Sequence, residues 1–166
     1  MRKSIGLLAV LVGFAVTGCS GGGDAPKLPA SNVSKFEFQV SKGLYYFQTP
    51  DRSIKCGIFT RGFPVGVGCQ TYLAPIPESL KDCAPLGGTR SVGVQILDKK
   101  AKQYCLAQGL WVGPAVEGMD VGGGRVLQEG QVLDVDGAVC QSKGNAITCT
   151  KDGAGFTMSA TENKVY

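Results

Sequence analysis

Hydrophobic and polar residues first alternate with period two at residues 35–40, where Phe36, Phe38 and Val40 interleave with Lys35, Glu37 and Gln39. That pattern predicts a half-buried strand and opens a folded domain at residue 35. Residues 45–49, 54–60 and 65–72 read as three further strands. Thr49-Pro50-Asp51-Arg52 forms a turn with proline at its second position. Residues 91–97 and 102–106 read as a hairpin around the solvated Asp98, Lys99, Lys100 and Ala101. Residues 74–88 carry Pro75, Pro77 and Pro85 and read as loop, with at most one helical turn at 78–82. Residues 109–124 are glycine-rich, and a loop of that length is either functional or poorly ordered. Val126 and Leu127, then residues 132–135, lead into a closing hairpin, after which 156–160 and 164–166 can add edge strands.

The closing hairpin fixes its own register. A turn on Gly144 and Asn145 pairs Lys143 with Ala146, Ser142 with Ile147, Gln141 with Thr148 and Cys140 with Cys149. Counting outward from the turn, the two cysteines fall on a non-hydrogen-bonded pair, where side chains approach closest and a cross-strand disulfide fits. Folding residues 54–60 on 65–72 about Gly62 and Phe63 sets Cys56 opposite Cys69 in the same way, with Pro64 widening the loop. Cys83, in the proline-rich loop, and Cys105, on a return strand, are then taken as the third pair. Sequential pairing is one of 15 connectivities open to six cysteines, and the two hairpins favour it. The expected fold is all-β: a small antiparallel sheet or sandwich of about eight to ten short strands stapled by three disulfides.

The N-terminus differs in kind. Residues 1–18 have a basic start at Arg2 and Lys3, an apolar run over 5–16 and small residues before Cys19, the pattern of a signal peptide. The run is shorter than the roughly 20 residues of a membrane span. Val16-Thr17-Gly18-Cys19 resembles the bacterial lipobox, in which the cysteine receives a diacylglyceryl group and becomes the mature N-terminus. Removing Cys19 from the seven cysteines leaves six, an even number suited to disulfides in an oxidising compartment. Residues 19–34, with their glycines and prolines, read as a flexible tether, and 35–166 as one disulfide-rich β domain.

Composition narrows the chemistry. The 166 residues are 43% hydrophobic and 18% charged, which is ordinary for a globular domain. The 25 glycines are about twice the usual share of roughly 7%, favouring tight turns over long helices. The 17 basic residues fall to 15, against 13 acidic ones, once Arg2 and Lys3 leave; this balance gives no electrostatic case for nucleic acid. The absence of histidine excludes His-dependent triads and His-containing zinc sites. No CxxC occurs, so neither a redox dithiol nor a zinc ribbon is indicated. No cofactor and no metal are expected.

Four further features are weighed as candidate chemistry. Asp134 and Asp136 alternate with Leu133 and Val135 and would share one strand face, as paired carboxylates must for acid–base or cation work. No further oxygen ligand follows at a recognisable spacing, so they read as the wet side of a strand. Gly122, Gly123 and Gly124 ahead of Arg125 could suggest an anion cradle, but no Lys-Ser/Thr and no helix follow, so they read as loop. Trp111, with Leu110 and Val112, is either an interface anchor or, the preferred reading, packed over the core. Of Tyr45, Tyr46 and Phe47, one must face the opposite side of its sheet from the others. No Ser-x-x-Lys stands in a helical context, and catalysis is not expected.

These residues resemble a family of small exported six-cysteine bacterial proteins, mainly actinobacterial and of unknown function. Phe47, Thr49, Pro50, Ile54 and Cys56 resemble its aromatic-x-Ser/Thr-Pro-x-x-x-Ile-x-Cys opening. Cys69-Gln70 with Pro75, Pro77 and Cys83 resembles its middle section. Cys140-Gln141-Ser142, Thr148-Cys149 and Gly153-Ala154-Gly155-Phe156 resemble its close, over about residues 45–160 in all. Ala154 stands where the family often has histidine, so a role resting on that histidine could not hold here. The resemblance implies the same disulfide framework and an envelope location, and no activity. The expectation is a cell-envelope lipoprotein, held to the outer side of the cell membrane by lipid on Cys19 and acting as a non-catalytic binding or structural module. An envelope protein is its possible partner. The alternatives are an inhibitor of an envelope hydrolase that uses Leu110, Trp111 and Val112, and, third, an enzyme.

Overall fold

The computed structural model describes residues 23–62, 64–83, 91–116 and 122–166. The signal peptide read at 1–18 and the lipidation site read at Cys19 lie outside them. Among the described residues no helix is long and apolar enough to cross a membrane.

The strand expected from residue 35 is instead a 3-10 turn over Lys35–Phe38. Phe38 is buried but Phe36 is 70% exposed and Val40 lies at the surface, so the period-two alternation does not describe a strand face. The segment crosses from one sheet to the other. Upstream, the Asn32 side chain accepts from the Val132 N–H at 2.7 Å and donates to the Gly130 carbonyl. Lys35 Nζ then meets Asp136 Oδ1 at 2.8 Å. A chain turning through this corner needs the tighter three-residue repeat. The contacts of Ser31 and Asn32 also carry the folded body ahead of the boundary read at 35.

Twelve short strands follow among the described residues, where eight to ten were expected. β1 (Gln39–Ser41), β2 (Leu44–Gln48), β3 (Lys55–Phe59), β4 (Gly66–Thr71), β5 (Ser91–Leu97) and β6 (Lys100–Leu106) form one antiparallel sheet in chain order. β7 (Arg125–Val126) joins it parallel to β2. β8 (Val132–Val135), β9 (Ala138–Lys143), β10 (Ala146–Lys151), β11 (Ala154–Met158) and β12 (Asn163–Val165) form a second antiparallel sheet, also in chain order. β11, expected at an edge, lies inside this sheet between β10 and β12. The helical turn expected at 78–82 is a 3-10 turn at Glu78–Leu80.

Two-residue turns set the registers. Asp98 and Lys99, Asp136 and Gly137, Gly144 and Asn145, and Asp152 and Gly153 all have positive φ, from 50° to 85°. Two such residues in succession match the right-handed twist of the flanking strands. The closing hairpin adopts the expected register, Cys140 opposite Cys149 included. The β5–β6 turn is tighter than read from the sequence, because Leu97 pairs with Lys100 and leaves only Asp98 and Lys99 between strands.

The sheets face each other across one core. Tyr45, Phe47, Ile58, Val67, Val94 and Ile96 line it from the first sheet, and Leu133, Val135, Ile147, Phe156 and Met158 from the second. Burying each large apolar side chain contributes about 1.5–3 kcal/mol. Cys56–Cys69 and Cys140–Cys149 lie within this core, one on each sheet. Their Cα atoms are 4.0 and 4.1 Å apart, the close approach of non-hydrogen-bonded pairs. Cys83–Cys105 ties the proline-rich loop to β6. All three expected pairings are present.

Candidate functional site

Over β2, β3 and β4 the outer face of the first sheet is covered by Trp111 and Gly113 of the glycine-rich loop after β6. Gly57 on β3 and Gly68 on β4 are direct cross-strand partners, and between them they leave a flat patch without side chains. Trp111 lies on that patch, 1% exposed. A Cβ at Gly68 would sit 2.3 Å from the indole and 2.7 Å from the Val94 carbonyl oxygen. The indole stacks on Phe59 with centroids 5.1 Å apart, and Phe59 meets Tyr46 edge-on at 5.0 Å. Tyr46 thus faces outward while Tyr45 and Phe47 face the core, and burial raises its phenol pKa. Gln70 fastens the loop: its Oε1 accepts from the N–H groups of Leu110 at 2.6 Å and Trp111 at 2.7 Å.

Beside this covered patch lies a cleft of about 220 Å³. Arg52 and Ser53 come from the β2–β3 turn, Lys55 from the start of β3, and Gln70 and Thr71 from the end of β4. Tyr72, Leu73 and Val112 complete the lining. The Thr71 hydroxyl joins the walls, donating to the Ser53 carbonyl at 2.8 Å and accepting from the Leu73 N–H at 3.1 Å. Tyr72 and Leu73 are 60% and 57% exposed and put apolar surface at the cleft.

The cleft is electropositive. Lys55 Nζ donates to the Arg52 carbonyl at 3.2 Å, which holds the ammonium beside the turn. Burial, reinforced by the nearby Arg52 charge, lowers the Lys55 pKa. Neither cation enters an ion pair among the described residues. Asp51, the neighbouring acid in sequence, is turned to the turn itself. Its Oδ1 accepts from the Thr49 hydroxyl at 2.6 Å and from the Ser53 N–H and hydroxyl. Burial pushes this carboxyl up, but those hydrogen bonds outweigh it and hold the pKa below its ordinary value.

The other features singled out in the sequence are structural. Asp134 Oδ1 accepts from the Gly137 N–H at 3.0 Å, closing its own turn, while Asp136 binds Lys35. The hydrogen bond to Asp136 raises the Lys35 pKa. The N–H groups of Gly123 and Gly124 donate to the carbonyls of Gly113 and Pro114, which closes the anion cradle they could have offered. A larger hollow of about 490 Å³ involves Glu37, Phe38, Arg125, Gln128 and Gln131. There Arg125 donates to the Glu37 carbonyl and the Gln131 side chain accepts from the Gln128 N–H. Among the described residues no three His, Cys, Asp or Glu side chains group as a metal site requires.

The sequence reading singled out Leu110, Trp111 and Val112, and the structure places Val112 in the cleft wall and Trp111 beneath the surface. It did not find Arg52, Lys55, Tyr72 or Leu73. The available signal was two cations flanking one turn and two apolar residues running past the end of a buried strand. No protein-family model, no curated protein and no solved structure matches the chain.

Proposed function

We propose that the protein is a lipid-anchored, extracytoplasmic binding module with no catalytic activity of its own. The observation that carries this reading is the cysteine inventory. Six of the seven cysteines are joined in three disulfides, as befits an oxidising compartment. Cys19, preceded by Val16, Thr17 and Gly18, is left for the anchor. The resemblance to exported six-cysteine proteins supports the same location, and the cleft beside the Trp111 loop gives a binding function a place to reside. In the inhibitor reading, burial of the indole leaves Leu110 and Val112 to meet a hydrolase.

The test is metabolic labelling of the full chain in a bacterial host with an alkyne fatty acid, followed by detergent phase partitioning. The wild type is expected to carry label and enter the detergent phase, and Cys19→Ser to do neither. A Cys19→Ser protein that keeps its label and its detergent partitioning overturns the anchor.

A further inference from the structure

We propose that the cleft between the β2–β3 turn and the Trp111 loop binds a small organic anion with an apolar body. The anionic group lies at Arg52 and Lys55, and the apolar part lies against Tyr72, Leu73 and Val112. This rests on reading the chain as a binding module and names what that module takes.

Three observations converge. Two cations meet at one mouth with no acidic side chain in the cleft lining among the described residues. Like charges brought together at a partly desolvated site repel, and an anion between them removes that cost. The guanidinium fork of Arg52 suits a planar carboxylate or a tetrahedral sulfonate or phosphate equally, so the shared chemistry is the anion. The remaining wall is apolar and exposed at Tyr72 and Leu73, and covering it with an apolar group removes that surface from water. The volume sets the size. At about 220 Å³ the cleft is smaller than the roughly 300–1,000 Å³ of pockets for drug-sized ligands, which suits a one- or two-ring aromatic acid or a short-chain carboxylic acid. The site is also braced, because Thr71 joins two of its walls and Gln70 holds the third through the loop backbone.

The experiment titrates the full, oxidised, isotope-labelled chain in neutral detergent with naphthalene-2-sulfonate and, separately, with the uncharged naphthalene-2-sulfonamide, following backbone amide shifts. The sulfonate is expected to saturate with its largest shifts at Lys55, Thr71 and Val112. The sulfonamide is expected to bind about tenfold more weakly or worse, the loss that follows from removing charge-assisted hydrogen bonds. The double variant Arg52→Gln, Lys55→Met is expected to bind the sulfonate no better than the wild type binds the sulfonamide. Equal affinity for the two probes, unchanged sulfonate binding by the variant, shifts centred elsewhere or no binding at all each overturn the proposal. The comparison of probes needs no variant, so it stands even if the double substitution disturbs folding. Its failure removes the ligand class alone, whereas failure of the anchored reading shows in the Cys19→Ser labelling.

Discussion

Gly68 has no room for a side chain. A methyl group there would overlap the indole of Trp111 on one side and press on the Val94 carbonyl on the other, and neither the ring nor the strand can move away cheaply. Gly68→Ala is therefore expected to destabilise the protein by about 1–3 kcal/mol, the usual cost of overpacking, and to lift the indole from the sheet. Trp111 is the only tryptophan, so its emission reports the event directly: a red shift in the folded variant is expected. Unchanged emission together with unchanged denaturant stability would show that the loop is not pinned at that point. The packed state of Trp111 was legible in the sequence as the preferred of two readings. What it packs on was not, because Gly57 and Gly68 become a platform only when the β3–β4 register makes them neighbours. The same holds for the cleft: Arg52 and Lys55 meet locally around one turn, but the β3–β4 register is what brings Tyr72 and Leu73 beside them.

The hairpins show where local patterns carry information and where they do not. Gly144 and Asn145 specified the closing register down to the cysteine pair, because positive φ at two successive residues admits few side chains. Asp136-Gly137 and Asp152-Gly153 carry the same signal and build the same kind of turn. In the first, the alternation with Leu133 and Val135 would put Asp134 and Asp136 together on the wet side of a strand, whereas Asp136 lies past the end of β8 in the turn, and the two carboxylates serve that turn and Lys35. At residues 35–40 the alternation was present but the strand was not, since the chain there turns a corner between sheets and tertiary contacts override the pattern. In β4 and β5 alternation gives way to near-continuous burial; in β4 the core lies on one face and Trp111 covers Gly68 on the other. For the turns, the cost of side chains can be isolated at Gly153, where φ is 85° and nothing lies within 4 Å of a Cβ. Gly153→Val is expected to lower stability by about 1–2 kcal/mol through backbone strain alone. In urea titrations this would appear as a lower midpoint with the same slope; a midpoint equal to wild type would contradict it.

For the molecule as a whole, stability is shared between one inter-sheet core and three covalent ties. Each disulfide closes a loop of modest length, from a separation of 9 residues at Cys140–Cys149 to 22 at Cys83–Cys105. Each is worth about 3 kcal/mol on a chain-entropy basis. Domain stability is typically about 5–15 kcal/mol, so full reduction is expected to leave the protein unfolded or molten. Near-UV circular dichroism of the reduced protein should be lost, and a retained signal with an unchanged melting temperature would refute this.

The order of the ties along the chain has a consequence for biosynthesis. Each domain cysteine is bonded to its immediate neighbour in sequence, and no bridge spans another. A polypeptide delivered N-terminus first into an oxidising compartment exposes Cys56 and Cys69 before the second pair arrives, and the second before the third. On the proposed reading, in which lipid blocks Cys19, an oxidase that joins each newly emerged thiol to the one waiting ahead of it produces the native set directly, and maturation is expected to need an oxidant but no disulfide isomerase.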